Sequence, residues 1–313
     1  MFFLEGLYRI GLFCHRRLSK PKKVPAFVIS IGNITTGGCG KTQMVLKIAQ
    51  ILKERKVCIL SRGYKARLEN KGGIVTPNSR VEDVGDEPLM LSKMTNIPVM
   101  VGKNRYKSAM FAISNLGIDT IILDDGFQHW GLFRNLDILL INGGNPFGNY
   151  RLLPCGILRE PLAGIERADI IVITKRKDLN IIEIIRRFNK TSPIFEAEYK
   201  PSALLDNNGK MYPLSLISNK NVLAISGIQD SSSFEKTLGD LGCYVEGIRF
   251  PDHHFYSSSE IEKIKHKAKE FDLVVSTLKD KEKLKGEGYL FLNVSFSISD
   301  EPSFIKLLTP KEQ

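Results

Sequence analysis

The sequence has few of the residues on which disulfide-bonded or zinc-bound folds depend. Its 313 residues include only five cysteines and five histidines, and no two cysteines form a Cys-x-x-Cys pair. An odd number of cysteines without close pairs indicates neither a disulfide framework nor a structural zinc site. A reducing cytoplasm is therefore the simplest location for the chain.

Repeats and low-complexity segments are also absent. No internal similarity occurs at the periods typical of solenoids. The hydrophobic content of 42% and the charged content of 25% are ordinary for a chain that packs a globular core. This length and composition predict one large domain or two medium-sized ones.

The chain has an excess of basic residues. Lys and Arg number 45 against 34 Asp and Glu, which gives a formal net charge of +11. Such a charge favours anionic partners, whether nucleic acid, acidic lipids or phosphorylated substrates. The basic residues are spread along the chain without an RNA-binding or helix-turn-helix signature, so no nucleic-acid partner is expected.

Residues 1–23 form an apolar segment followed by a basic flank. Glu5 and Arg9 interrupt the apolar stretch, which argues against a signal peptide, and the stretch is far shorter than the roughly 20 residues that span a bilayer. A helix here would either lie on a membrane surface with anionic headgroups or dock on its own core. The residues alone leave both interpretations open. The basic flank consists of His15, Arg16, Arg17, Lys20, Lys22 and Lys23.

Apolar strands alternate with helices along most of the chain. This order predicts an α/β fold of the P-loop NTPase type, with a mostly parallel sheet covered by helices on both faces. The first domain is expected over residues 24–206, with a linker rich in Asn, Gly, Ser and Pro over residues 207–220. A second, smaller α/β domain is expected over residues 221–313. In it, Ser257 and Glu260 form a predicted capping box at the start of a helix.

The strongest chemical signal is the glycine-rich turn at residues 32–42, between a predicted strand and a predicted helix. Its backbone N–H groups and the helix N-terminus would bind phosphate oxygens. Lys41 would reach the β- and γ-phosphates of a nucleotide, and the Thr42 hydroxyl would bind Mg²⁺. Thr35 stands where the common motif has glycine. The predicted nucleotide-binding residues are Thr35, Thr36, Gly37, Gly38, Cys39, Gly40, Lys41 and Thr42.

Further polar residues end or begin predicted elements. Asp124 and Asp125 follow an apolar strand, where P-loop proteins place a carboxylate that binds Mg²⁺. Alone, such a pair would more often be only a turn. Asp86 opens a helix and is either an N-cap or a functional residue. Arg105 and Arg159 lie at the ends of elements and either bind phosphate or decorate the surface.

Taken together, several segments resemble the tetraacyldisaccharide 4'-kinase family, the lipid A 4'-kinases of Gram-negative bacteria. The family's phosphate loop also lacks the first glycine, as this chain does at Thr35. Two departures are Gln43, where many members have proline, and Trp130. The matching segments, in the family's order, are GNITTGGCGKT, ILSRGYK, GDEP, NRYK, LDDGFQH, RLLPCGILREPL and FPDHHFY.

The resemblance implies transfer of the ATP γ-phosphate to the 4'-hydroxyl of an acylated glucosamine disaccharide 1-phosphate, with Mg²⁺. It also implies a membrane-associated N-terminal segment at the cytoplasmic face of the bacterial inner membrane. Asp86 matches the catalytic base and His253 the residue that orients it, and the two are expected to meet across a cleft between the domains. The other implied roles are Mg²⁺ binding for Asp124, Asp125 and Glu160, phosphate binding for Arg159, and substrate binding for Tyr64, Arg105, Gln128 and His129.

Two other functions compete with this one. Membrane-recruited P-loop ATPases that act as switches or scaffolds share the glycine-rich loop, but their second lysine before the paired glycines is missing here. A soluble kinase for a small metabolite would leave the apolar N-terminal segment unexplained.

Overall fold

The alternation of strands and helices gives two α/β units in the computed structural model, which describes residues 2–175, 180–228, 230–252, 254–284 and 288–309. The first unit comprises Met1–Glu198 and Phe296–Gln313, and the second comprises Tyr199–Ser295. The chain leaves the first unit within one strand and returns to it within another, Ile194–Leu205 and Tyr289–Ile298. The fold class predicted from the sequence is confirmed.

The helices and strands are numbered in chain order. The helices are α1 Phe2–Leu18, α2 Lys41–Ile51, α3 Val81–Val84, α4 Asp86–Met94, α5 Arg105–Leu116, α6 Ile181–Phe188, α7 Ser231–Asp240, α8 Ser258–Ala268 and α9 Glu301–Leu308. Short 3₁₀ helices cover Leu162–Arg167 and Leu214–Ile217. The strands are β1 Phe27–Gly32, β2 Val57–Ser61, β3 Gly73–Val75, β4 Val99–Val101, β5 Thr120–Asp124, β6 Leu136–Asn142, β7 Ile170–Thr174, β8 Ile194–Leu205, β9 Met211–Tyr212, β10 Asn221–Ser226, β11 Tyr244–Arg249, β12 Leu273–Thr277 and β13 Tyr289–Ile298.

The sheet of the first unit has β1 near its middle. The strand order is β8-β7-β6-β1-β5-β2-β4-β3; within this order β3 pairs antiparallel with β4, and each of the other pairs is parallel. Every residue of β2, β5 and β7 is buried, as expected for a parallel sheet whose two faces are both covered. Helix α2 contacts β1 and β5, and α5 packs on a cluster that includes Val28, Leu60 and Ile121. Because β1 and β5 pair in parallel, with Ile31 beside Asp124, their carboxyl ends lie side by side.

The second unit is built on a smaller parallel sheet. Its strand order is β11-β10-β12-β13, and β9 forms an antiparallel pair with the end of β8. At the start of α8, Ser257 and Glu260 form the capping box that the sequence predicts. The pairing fixes the first turn of this helix.

The bounds of the two units differ from the domain limits expected from the sequence. Residues 207–220 do not form an open linker, because β9 lies within them and Ile217 is fully buried in the second unit's core. The last helix, α9, belongs to the first unit rather than the second. There Phe304 packs edge-on against Phe195, and Glu301 pairs with Lys47 at 2.7 Å.

Helix α1 presents a row of apolar side chains to solvent. Phe3 is 77% exposed, and Ile10 and Phe13 are each 61% exposed. Within the described part of the chain, no helix has the length and hydropathy required to cross a bilayer. The exposed row is thus a surface feature of the first unit. It also includes Leu4, Leu7 and Leu18.

Candidate active site

The glycine-rich turn joins β1 to α2 in the way that the sequence predicts. Gly37 and Gly40 have φ angles of 116° and 91°, in the left-handed region that glycine adopts readily. Gly40 is the N-cap of α2 and has no side chain that could bind the first backbone N–H groups of the helix. These N–H groups, at the positive end of the helix, therefore point toward the loop. Such an arrangement of backbone N–H groups is suited to phosphate oxygens.

The first half of the turn is held by a neighbouring segment. The Thr36 amide donates to the Ile157 carbonyl at 2.7 Å, and Thr35 forms a β-bridge with Leu158. The Cys39 side chain is buried, and the Thr174 hydroxyl donates to the Cys39 carbonyl at 3.2 Å. Residues 35 and 36 thus shape the loop through protein contacts, whereas Gly38 has open space around it.

Lys41 connects the phosphate loop to the acidic turn after β5. Its Nζ donates to Asn33 Oδ1 at 3.2 Å and lies 3.5 Å from Asp125 Oδ1. The register of β1 and β5 produces this proximity, because Ile31 is paired with Asp124. The two strongest motifs of the sequence therefore form one site.

Asp124 and Asp125 are adjacent but have different environments. Asp124 is buried and accepts a hydrogen bond from Ser61 Oγ at 2.9 Å. Burial, followed by the charges of Glu87 and Asp125, raises the pKa of Asp124 to about 6. Burial would also raise the pKa of Asp125, but the cations Lys41 and Arg159 outweigh it and lower that pKa. Arg159 Nη1 contacts both oxygens of Asp125 at 2.8 Å.

The oxygen atoms near Asp124 have the chemistry that Mg²⁺ prefers. Thr42 Oγ1 donates to Glu87 Oε1 at 3.4 Å, and the Glu87 charge acts on Asp124. Besides burial, the charges of Glu87 and Asp125 both raise the pKa of Asp124, and a divalent cation bound beside these carboxylates would offset that repulsion. Among the described residues, no three acidic, imidazole or thiol side chains form a complete metal cage. Proteins usually bind Mg²⁺ through one or two carboxylates, substrate phosphates and water.

Glu160, which the resemblance assigns to Mg²⁺, makes other contacts in this structure. It is buried, and its Oε2 lies 2.8 Å from Arg167 Nη1. Gln128 Nε2 donates to Glu160 Oε1 at 2.8 Å and to the Asn33 carbonyl at 2.7 Å. A side chain at Gly164 would collide with Glu160, because its Cβ would lie 2.3 Å from Oε2. Gln128 thus links Glu160 to Asn33 of the phosphate loop.

The predicted substrate residue Arg105 is buried, and His129 is half-buried with other cations near it. Arg105 Nη1 donates to the Gly102 carbonyl at 2.6 Å. Burial lowers the pKa of Arg105 to about 10. Burial, and then the charges of Arg105 and Arg134, lower the pKa of His129 to about 4, so this imidazole is neutral near pH 7. Tyr64, by contrast, is well exposed.

Asp86 begins α4, and its Oδ1 accepts a hydrogen bond from the Glu87 amide at 3.0 Å. It therefore lies next to the residue that contacts Thr42. His253 lies outside the described residues, so its pairing with Asp86 stays a prediction.

A family model described as tetraacyldisaccharide-1-P 4'-kinase, LpxK, matches residues 2–313. The chain belongs to this family. The resemblance drawn from the sequence motifs is thereby confirmed.

Individual relatives agree over most of the chain. A tetraacyldisaccharide 4'-kinase of Aquifex aeolicus (strain VF5) is 38% identical over 297 residues, which cover 92% of this chain and 89% of the relative. One of Halothermothrix orenii is 36% identical over 308 residues, which cover 88% of this chain and 80% of the relative. A crystal structure of LpxK from Aquifex aeolicus in complex with ATP has a TM-score of 0.80 at 33% identity, covering 98% of this chain and 96% of that one.

Four residues of the site were not singled out from the sequence. They are contact partners of predicted residues: Asn33 of Lys41, Ser61 of Asp124, Glu87 of Thr42 and Arg167 of Glu160. Glu87 lies inside the GDEP segment, which the family resemblance already marked, so that segment could have identified it. Ser61 likewise lies inside ILSRGYK. For Arg167, outside the matched segments, the sequence offers no signal.

Proposed function

We propose that this protein is an ATP-dependent kinase that transfers the γ-phosphoryl group to the 4'-hydroxyl of a tetraacyldisaccharide 1-phosphate, a step of lipid A biosynthesis. The observation that carries the proposal is the contact of 3.5 Å between Lys41 Nζ and Asp125 Oδ1, which joins the phosphate loop to the acidic turn after β5. Family membership supports the choice of acceptor.

Within this proposal, the phosphate loop binds the nucleotide through the backbone N–H groups at residues 37–42. Lys41 and Arg159 offset charge on the transferred phosphoryl group. Thr42 and Asp124 or Asp125 would hold Mg²⁺, which neutralises phosphate charge when it is bound. Asp86 accepts the proton of the sugar hydroxyl as the new O–P bond forms and the bond to ADP breaks.

The membrane part of the proposal rests on α1. We infer that its exposed apolar row docks on the anionic surface of the bacterial inner membrane, at the cytoplasmic face. Arg9, Arg16 and Arg17 are exposed on the same helix, and the net charge of +11 favours anionic headgroups. An enzyme held at this surface reaches a lipid-linked sugar without extracting its acyl chains.

Thin-layer analysis of labelled products tests the proposal. The protein is incubated with γ-labelled ATP and tetraacyldisaccharide 1-phosphate in mixed micelles, with a 4'-deoxy analogue as the matched control. We expect label in the lipid only when the 4'-hydroxyl is present.

The other outcomes point to the competing functions. Label released only as inorganic phosphate would indicate an ATPase switch or scaffold. When a cell extract is added to the incubation, label in a water-soluble metabolite and none in the lipid would indicate a soluble kinase. Either result would contradict the proposal.

A further inference from the structure

Two side chains of α1, Glu5 and Tyr8, lie on the side of the helix that docks on the first unit. Both contact one segment of that unit, residues 151–159. The Glu5 carboxylate binds Arg151 Nε and Nη2 at 3.0 and 2.7 Å and accepts a hydrogen bond from the Leu152 amide at 3.1 Å. The Tyr8 hydroxyl donates to the Arg159 carbonyl at 2.9 Å. Helix α1 therefore holds both ends of this segment.

The same segment holds the phosphate loop. The Arg159 amide donates to the Ile34 carbonyl at 2.8 Å, and the Thr36 amide donates to the Ile157 carbonyl at 2.7 Å. The Tyr8 ring packs against the buried cluster that contains Ile34 and Leu158. The segment thus lies between α1 on one side and the phosphate loop on the other.

Arg159 is the residue at which these contacts converge. Its amide is bound by the phosphate loop, its carbonyl by Tyr8, and its guanidinium by Asp125. With the amide and the carbonyl both bound, the backbone has little freedom to rotate, and the long side chain starts from a fixed position. A guanidinium that must offset charge on a transferred phosphoryl group requires such preorganisation.

We propose that Tyr8 is a positioning residue for phosphoryl transfer, because its hydroxyl fixes the backbone of Arg159 and so links the membrane-facing helix to the phosphate-binding site. This inference rests on the proposed function for the role of Arg159. It assigns to α1 a second role besides membrane contact.

The variant Tyr8→Phe tests the inference, because it removes the hydroxyl and keeps the ring packing. We expect kcat/KM for ATP and the affinity for ATP with Mg²⁺ each to fall about fivefold, the effect of one lost hydrogen bond. The KM for the lipid should not change, and the melting temperature should fall by no more than about 2–4 °C, the effect of the same hydrogen bond on folding stability. Kinetics in mixed micelles and isothermal titration with ATP and Mg²⁺ measure these quantities.

Two further variants separate positioning from a general structural effect. Tyr244→Phe changes an exposed tyrosine of β11 and should behave as the wild type. In the Arg159→Lys background, Tyr8→Phe should have little additional effect, because Tyr8 acts through Arg159.

The inference is overturned if Tyr8→Phe has wild-type ATP affinity and kinetics. The inference is also overturned if the losses of activity from Tyr8→Phe and Arg159→Lys multiply in the double variant. A loss that is fully explained by a lowered melting temperature would overturn it as well. If the wild-type protein binds ATP but does not label the lipid, the proposed function fails. The ATP affinity of Tyr8→Phe then still decides the role of Tyr8.

Discussion

At the scale of single residues, Gly32 has no room for a side chain. It ends β1, and a Cβ at this position would lie 2.6 Å from Phe127 Cβ and 2.7 Å from the Phe127 amide nitrogen. Phe127 is fully buried in the turn that follows Asp124 and Asp125. Gly32 thus permits the close approach that brings the phosphate loop to the acidic pair.

Gly32→Ala should therefore destabilise the first unit. Because the clash includes a backbone atom, we expect a loss of about 1–3 kcal/mol in the free energy of unfolding, typical of an overpacked core. Urea titration followed by circular dichroism measures it. The control Gly239→Ala, in α7, meets no atom within 4 Å and should leave stability unchanged or slightly raised. Equal stability of the two variants would contradict this account of Gly32.

Sequence reasoning at this scale reaches the groups that are encoded locally; the structure brings Lys41 within 3.5 Å of Asp125, and the roles of these residues stay predictions. Lys41, Asp124 and Asp125 were predicted because a strand end and a glycine-rich turn are visible in consecutive residues. The partner of Glu160 was not predicted, because nothing local marks Arg167 as the cation that reaches it. Whether a buried carboxylate binds a metal or an arginine depends on packing that the motif does not contain.

At the scale of elements, the helical pattern of α1 predicts its apolar surface but not the partners of its polar side chains. Its apolar surface was evident from the sequence, and the structure exposes it. From the sequence, Glu5 is only an interruption of the apolar stretch, whereas in the structure it pairs with Arg151. A periodicity argument cannot find a partner so distant in the chain.

The exposed side of α1 can be tested without disturbing its docked side. Ile10→Ser combined with Phe13→Ser removes two exposed apolar side chains one turn apart. Since each side chain contributes roughly 1.5–3 kcal/mol when it is fully buried in an apolar phase, we expect binding to anionic vesicles to fall roughly tenfold or more. Sedimentation with vesicles measures the change.

Two controls accompany this experiment. Met211→Ser changes an exposed apolar residue of the second unit and should bind vesicles as the wild type does. Added salt should weaken binding of the wild type, because screening reduces the attraction of the basic residues for anionic lipid. Unchanged binding of the α1 variant would refute membrane docking through this helix.

At the scale of the whole molecule, the sequence predicted two α/β units but not where the chain divides. Residues 207–220 have a loop-like composition, yet Ile217 is buried in the second unit. Helix α9 follows the second unit in sequence and returns to the first, where Phe304 is buried. Composition indicates local flexibility, whereas unit membership depends on which distant surface an apolar side chain covers.

The central claim is that the site formed by Lys41 and Asp125 transfers phosphate to the lipid, and Lys41→Ala tests it most directly. The matched control is Lys53→Ala, an exposed lysine just after α2. In the labelled-ATP assay, we expect Lys41→Ala to lose about 100- to 1,000-fold of the transfer rate, on the scale of one lost electrostatic contact to a transition state. Its melting transition and the activity of Lys53→Ala should stay as in the wild type. Near-normal transfer by a well-folded Lys41→Ala protein would contradict the account.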